Sequence, residues 1–96
     1  MSQKTRMSEP RKKLTLPELG AQKAAGDRLV MVAVGEVLTA TWAERAGVDI
    51  VGVGDSLGIT FHGHENTLAM TVDQMVMQTQ AVRRGASNTL CLVSMP

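Results

Sequence analysis

Three short apolar runs constrain this chain more than any other feature of its sequence. They read LVMVAV at residues 29–34, DIVGV at 49–53 and TLCLV at 89–93. Continuous apolar runs rich in β-branched residues are typical of strands that are buried on both faces, and such strands occur in parallel sheets. The sequence therefore predicts three parallel strands with both faces covered.

Helical patterns precede and separate these runs. Two of the helices begin with capping-box spacing, Thr15 with Glu18 and Thr71 with Gln74, and the first is expected to end at Gly26. The intervening helix and the last helix are predicted from apolar stripes at helical spacing and from a terminal glycine in each. Those positions are Leu38, Trp42 and Ala46 with Gly47, and Val72, Met75, Val76, Thr79 and Val82 with Gly85.

The predicted order is a helix followed by β-α-β-α-β, which is the pattern of an α/β protein. Two architectures share it: a doubly wound sheet and the start of a (β/α)₈ barrel. Three strands are too few to close either, and a barrel needs roughly 250 residues. We interpret residues 14–96 as the N-terminal third of a larger protein, truncated after the third strand. A complete small domain is the alternative, although it would expose a sheet edge and an apolar face.

Charge and composition exclude several classes of protein. Residues 1–13 sum to +4 although the whole chain is only +1, and we interpret them as a basic flexible tail, with contact to an anionic surface as the alternative. Aromatic residues make up 2%, which is poor for stacking on nucleic acid. No apolar run approaches the roughly 20 residues of a membrane span. The single Cys91 suits a reducing compartment. We expect no nucleic-acid partner and no membrane association.

Polar residues follow each predicted strand, and in parallel α/β folds ligands bind at the carboxyl ends of the strands. They are Gly35–Glu36, Asp55–Ser56 and Ser94. Asp55 has two interpretations: a turn residue that bonds its own backbone, or a hard oxygen ligand for Mg²⁺ or a polar substrate. Its position at a strand end favours the interpretation of Asp55 as a ligand for Mg²⁺ or a polar substrate.

The loop after the second strand, residues 55–70, is long for a connection between a strand and a helix. The glycines of residues 52–58 are spaced one residue too wide for a dinucleotide fingerprint, and no lysine completes a P-loop. His62 and His64 form an H-x-H pair, which is interpreted as hydrogen-bonded loop histidines rather than zinc ligands because two further ligands are missing. No Ser-His-Asp or Cys-His triad can be assigned.

Several short motifs in this region together resemble one enzyme family. They are GDSLG at 54–58, GH at 63–64 with TL at 67–68, and AVRRGA at 81–86. From about residue 28 to residue 96 the chain is similar to ketopantoate hydroxymethyltransferase, also called 3-methyl-2-oxobutanoate hydroxymethyltransferase. The resemblance implies a (β/α)₈ barrel of the phosphoenolpyruvate mutase and isocitrate lyase type, in a cytoplasmic homo-oligomer. It also implies transfer of a one-carbon unit from 5,10-methylenetetrahydrofolate to 3-methyl-2-oxobutanoate with Mg²⁺, on the route to pantothenate.

The resemblance assigns roles to three of the strand-end residues. It places Asp55 at a metal-binding aspartate that also meets the substrate, Ser56 at a substrate contact, and Ser94 at a second aspartate of the metal and substrate site. A neutral hydroxyl is a weaker Mg²⁺ ligand than a carboxylate, so Ser94 departs from the family pattern. Gly35–Glu36 departs as well, because it replaces a Tyr-Asp pair.

The family's catalytic glutamate and substrate-binding lysine fall beyond Pro96 in the resemblance, so no catalytic base is assigned in this chain. Two alternatives therefore stay open. One is a divergent relative that acts on another 2-oxo acid, and the other is a non-catalytic truncated chain.

Overall fold

The computed structural model describes residues 13–95. Residues 1–12, which make up nearly all of the predicted basic tail, and Pro96 lie outside the described residues. The described part begins with helix α1, Leu16–Ala24. As the capping box predicts, Thr15 Oγ1 accepts a hydrogen bond from the Glu18 amide, at 3.3 Å. The helix gives way to a turn in which Gly26 has a φ of +85°, a backbone conformation that favours glycine.

Three parallel strands form the sheet in the order β1-β2-β3. They are β1 Met31–Ala33, β2 Ile50–Val53 and β3 Leu90–Val93. Each is shorter than the apolar run that predicted it. Val51 of β2 pairs with Val32 on one side and with Cys91 on the other. The parallel order is confirmed.

The prediction that all three strands are buried on both faces is wrong for the two edge strands. Ile50 of the central β2 is half-buried and its other residues are buried, whereas every residue of β1 is exposed and β3 becomes exposed toward its carboxyl end. The reason is that the described helices pack over the central strand and leave the faces of β1 and of the end of β3 uncovered. Their composition is that of interior strands even though their faces are open here.

Helices α2, Val37–Ala46, and α4, Val72–Gly85, connect the strands. They pack against each other and against the sheet, enclosing one apolar core. Its buried members are Val34, Ala40, Ala43, Val48, Val51, Val53, Met70, Met75, Val82 and Ala86. The capping box at Thr71 and Gln74 is present, as predicted. No helix within residues 13–95 is both long and apolar enough to cross a membrane.

The predicted apolar stripe of α2 does not face the core. Leu38 and Trp42 are more than half exposed, while Ala40 and Ala43 point inward. Small residues face α4 because the two helices approach closely at Gly85, where a β-carbon would meet the Val37 carbonyl oxygen and would lie 2.9 Å from Thr41 Oγ1. The sequence predicted Gly85 only as a helix end.

The long loop after β2 carries structure of its own. It contains the single-turn helix α3, Leu57–Thr60, and a 3₁₀ turn at Thr67–Ala69. Gly58 is the buried residue of α3, and a β-carbon at this position would lie 2.6 Å from Met70 Cγ. The loop is therefore packed back onto the core through a glycine of the GDSLG motif.

Candidate functional site

The carboxyl ends of β2 and β3 lie side by side, and the backbone holds them together. The Ser94 amide donates to the Val53 carbonyl oxygen at 2.9 Å, which continues the parallel ladder one residue beyond β3. On the other side the Val34 amide donates to the Gly52 carbonyl oxygen, also at 2.9 Å. All three predicted strand-end segments therefore stand along one edge of the sheet.

Asp55 and Ser94 are in direct contact although they lie 39 residues apart in the chain. The Asp55 amide donates to Ser94 Oγ at 3.0 Å. A β-carbon at Gly54 would lie 3.4 Å from Ser56 Oγ and 3.8 Å from Ser94 Oγ, so both hydroxyls face the same side of this glycine. The structure thus brings together Asp55, Ser56 and Ser94, as their predicted placement requires.

A pair of consecutive turns fixes the backbone of this segment. The Leu57 amide donates to the Gly54 carbonyl oxygen at 3.1 Å, and the Gly58 amide donates to the Asp55 carbonyl oxygen at 2.9 Å. Among residues 13–95, no hydrogen bond or ion pair engages the Asp55 carboxylate, so it does not bond its own turn. The carboxylate is available to a ligand.

Glu36, at the end of β1, has a structural role at the start of α2. Its carboxylate caps α2 by accepting hydrogen bonds from the Leu38 amide at 2.7 Å, from the Thr39 amide at 3.1 Å and from the Thr39 hydroxyl. The Thr39 hydroxyl is the main cause that lowers the pKa of Glu36; the two amides act in the same direction, and desolvation opposes them. Glutamate is not among the preferred N-cap residues, so this role could not be predicted from the residue type.

Gln78 is a functional-site neighbour that sequence reasoning missed. This buried side chain of α4 donates from Nε2 to the Gly35 carbonyl oxygen at the end of β1. A β-carbon at Gly35 would lie 2.6 Å from Leu57 Cδ2, so the side chain of the GDSLG leucine fills the space beside this glycine. The only feature of the sequence that could have indicated this contact is a polar residue on the inward face of α4.

The histidine pair does not form a metal centre with its neighbours. The rings of His62 and His64 stand 6.2 Å apart in a nearly parallel arrangement, and Phe61 meets His62 edge-on. Within the described range, no group of three or more His, Cys, Asp or Glu side chains is placed to hold a metal. Both residues lie in the loop between α3 and the 3₁₀ turn.

The donors at the strand ends suit Mg²⁺ better than a transition metal. Mg²⁺ is usually bound through one or two carboxylates and keeps several waters, and its remaining ligands come from substrate oxygens. The Asp55 carboxylate could supply one such ligand, and the Ser56 and Ser94 hydroxyls lie nearby as neutral oxygens. Glu36 is already bonded to α2, so Asp55 is the strand-end carboxylate that fits this ion.

A cavity of about 650 Å³ opens beside these residues. Gly54 and Ser56 line its end at the site, and Val32, Val34 and Trp42 are among the apolar residues of its wall. The site therefore combines a few polar groups with an adjoining apolar space, as small-molecule sites commonly do.

Comparison with known proteins identifies relatives that are similar to this chain in sequence. A sequence model of the family described as ketopantoate hydroxymethyltransferase matches residues 13–96. The 3-methyl-2-oxobutanoate hydroxymethyltransferase 1 of Methylibium petroleiphilum is 49% identical over 86 residues, which cover 90% of this chain and 29% of the relative. The 3-methyl-2-oxobutanoate hydroxymethyltransferase of Thermosynechococcus vestitus is 43% identical over 86 residues, covering 90% of this chain and 33% of the relative.

A third relative of the same name, from Geobacillus kaustophilus, is 49% identical over 74 residues, which cover 77% of this chain and 26% of the relative. The chain thus spans about a third or less of the length of these curated relatives. The matched segment contains every strand-end residue described above. The chain belongs to the ketopantoate hydroxymethyltransferase family.

Proposed function

We propose that this chain forms the N-terminal part of an enzyme that transfers a one-carbon unit from 5,10-methylenetetrahydrofolate to 3-methyl-2-oxobutanoate, giving 2-dehydropantoate. The observation that carries the proposal is the meeting of Asp55, Ser56 and Ser94 at adjacent strand ends, with the Asp55 carboxylate open to a ligand. The relatives that share this segment are named for that reaction.

A (β/α)₈ barrel is the proposed architecture of the whole enzyme. The strand order β1-β2-β3 and the contact between α2 and α4 support it, because successive right-handed crossovers place consecutive helices on one side of a sheet. In a barrel both edge strands acquire partners, which accounts for the interior-like composition of β1 and β3. Active sites of such barrels lie at the carboxyl ends of the strands, where Asp55 stands.

In the proposed reaction these residues bind and orient the 2-oxo acid. Asp55 would hold Mg²⁺, which supplies positive charge that polarises the 2-oxo group and favours loss of the adjacent proton. Ser56 and Ser94 would hold oxygens of the acid by hydrogen bonds. The new carbon–carbon bond joins the methylene carbon of the co-substrate to C3 of the acid, from which the proton has left. The two bonds from the methylene carbon to nitrogen break, water supplies the oxygen of the new hydroxymethyl group, and tetrahydrofolate leaves. The resemblance places the base that takes this proton beyond Pro96.

We further propose that the enzyme is a cytoplasmic homo-oligomer. The exposed apolar residues on both edges of the sheet support assembly with further protein. The free Cys91 supports a reducing compartment; it is half-buried, and burial raises the pKa of its thiol, which disfavours the reactive thiolate.

A chimeric enzyme tests the proposed function. Residues 13–96 would replace the matching segment of the Methylibium petroleiphilum relative, and formation of 2-dehydropantoate would be measured with and without Mg²⁺. We expect Mg²⁺-dependent transfer, and we expect Asp55→Asn to abolish both the transfer and the Mg²⁺-dependent binding of 3-methyl-2-oxobutanoate. His62→Ala and His64→Ala are the matched controls, with milder effects. Normal binding of metal and acid by the Asp55→Asn chimera would show that the role of Asp55 is wrongly assigned.

The same chimera addresses the alternative of a divergent relative. It is favoured by Ser94, which the resemblance places where the family has an aspartate. Transfer to a different 2-oxo acid in preference to 3-methyl-2-oxobutanoate would establish that alternative.

A further inference from the structure

We infer that Gln78 of α4 is a positioning residue, which acts through Gly35 and Leu57 to hold the turn that carries Asp55 and Ser56. The inference rests on the proposed function for the use of that turn. It adds a residue that lies on a different element and acts on the turn from the side of β1.

Gln78 places a polar group where α4 otherwise presents apolar side chains to the core. Met75 and Val82, on the same inward face of the helix, are buried, and Gln78 itself is only 9% exposed. A buried amide costs free energy unless it is hydrogen-bonded. Its Nε2 donates to the Gly35 carbonyl oxygen, which accepts no backbone hydrogen bond within residues 13–95. The side chain therefore supplies the partner that the buried Gly35 carbonyl group needs where β1 ends.

Gly35 transmits this restraint to Leu57 by direct packing. The three atoms nearest to a β-carbon at Gly35 all belong to the Leu57 side chain, and the closest of them, Cδ2, would be 2.6 Å away. Leu57 therefore lies against the Gly35 backbone itself, in the space that a larger residue at position 35 would occupy. Because the hydrogen bond from Gln78 holds the Gly35 backbone, it also fixes the surface against which Leu57 packs.

Leu57 closes the turn that presents the proposed ligand-binding side chains. Its amide donates to the Gly54 carbonyl oxygen at 3.1 Å, so Asp55 and Ser56 are the two central residues of this turn. On the side of β3, the Asp55 amide donates to Ser94 Oγ at 3.0 Å. The turn is thus held from β3 by a hydrogen bond and from β1 by packing, and the packing depends on the hydrogen bond from α4.

Hydrogen exchange of the metal-free 96-residue chain tests the inference independently of catalysis. In the unchanged chain the Leu57 and Gly58 amides should be protected, because both donate within consecutive turns. Gln78→Met removes the donor at nearly constant length, and it should speed the exchange of both amides about tenfold, as expected for one lost buried hydrogen bond. Leu57→Ala should also speed this exchange. The double variant should be no faster than Leu57→Ala alone, because the contact through which Gln78 acts is already lost.

Two control variants separate this local effect from a general loss of stability. Gln80→Met makes the same chemical change at an exposed position of α4. Gly85→Ala crowds the contact between α2 and α4, but none of the three atoms nearest to its added β-carbon belongs to Gly35 or Leu57. Neither control should change the exchange of the turn amides, because amides of a turn exchange by local opening rather than by unfolding of the core.

The chimera supplies a second readout, the binding of 3-methyl-2-oxobutanoate in Mg²⁺ measured by calorimetry. We expect Gln78→Met to weaken this binding about tenfold, because residues that orient a metal ligand commonly have effects of this size. Gln80→Met and Gly85→Ala should bind the acid as the unchanged chimera does.

Two outcomes would overturn the inference: unchanged exchange of the turn amides in Gln78→Met, or effects of Gln78→Met and Leu57→Ala that add in the double variant. Neither decides the proposed function, which is judged separately by Mg²⁺-dependent transfer in the chimera. Faster exchange of the turn in Gln78→Met together with a chimera that performs no transfer would retain the positioning role and reject the function.

Discussion

The carboxylate of Glu36 stands at the end of β1 but is bonded to the first turn of α2. Three donors of that turn surround it, from Leu38 and Thr39. A carboxylate that gives up these bonds to bind a metal would leave the amides at the start of α2 without partners. For this reason Asp55 is the strand-end residue whose negatively charged carboxylate is available to bind a cation.

The hydrogen bonds that the Glu36 carboxylate accepts at the start of α2 predict that the stability of the fold depends on pH. Because folding lowers the pKa of Glu36 below its ordinary value of 4.5, the cap contributes fully above that value. The contribution is lost as the pH falls through the lower pKa of the folded state. We expect the midpoint of urea unfolding at fixed protein concentration to decline over this range, and to decline less in Glu36→Gln.

Glu65→Gln is the control for this prediction, because it removes the same charge from an exposed loop residue. Its pH profile should follow that of the unchanged chain. An identical decline in Glu36→Gln would show that the cap contributes nothing to the pH dependence.

Residue types and their positions after strands were enough to predict that Asp55, Ser56 and Ser94 lie close together, since parallel strands bring their carboxyl ends together. The roles of these residues stay predictions. The hydrogen bond from Gln78 to Gly35 could not be predicted, because it joins residues 43 positions apart through the packing of α4. The contact of Asp55 with Ser94 likewise depends on sheet register, which an apolar run does not specify.

At the scale of elements, capping chemistry was a better guide than apolar periodicity. Thr15 and Thr71 start their helices where their side chains predicted, because a cap depends on neighbouring residues alone. The prediction that the apolar stripe of α2 faces the core was wrong, because tertiary structure decides which face of a helix packs against a partner. Leu38 and Trp42 lie on an open side of α2, and smaller alanines face α4.

The close approach of α2 and α4 predicts a strong effect at Gly85. An alanine there would place its β-carbon against the Val37 carbonyl oxygen and 3.1 Å from the Ala40 β-carbon, so the helices would have to move apart. We expect Gly85→Ala to lower the free energy of unfolding by about 1–3 kcal/mol, the usual cost of overpacking. Chemical denaturation followed by circular dichroism measures it.

Gly20→Ala is the matched change in a helix without crowding. Position 20 lies inside α1 with no atom within 4 Å of an added β-carbon, so alanine should raise stability by about 0.5–1 kcal/mol. A gain at both positions would mean that α2 and α4 do not approach as closely as the structure shows.

At the scale of the molecule, apolar surface lies on both sides of the paired helices. Beside β1 it includes Val32 and Trp42, which line the larger cavity. Beside β3 a second groove of about 230 Å³ is lined by Val76, Val93 and Met95, among others. Both grooves run next to a strand whose outer edge has no partner within residues 13–95. Contiguous apolar surface next to open strand edges favours association with further protein.

The 96-residue chain by itself is therefore expected to associate at micromolar concentration. Size-exclusion chromatography should show species larger than a monomer, and circular dichroism should show melting that depends on protein concentration. Trp42→Lys combined with Val76→Lys would place a charge in each groove and should shift the chain toward the monomer. Leu68→Lys, at an equally apolar residue that is 87% exposed outside both grooves, should leave association unchanged. A cooperative melt of a monomeric unchanged chain would contradict this prediction, because the grooves would then be stable in water without a partner.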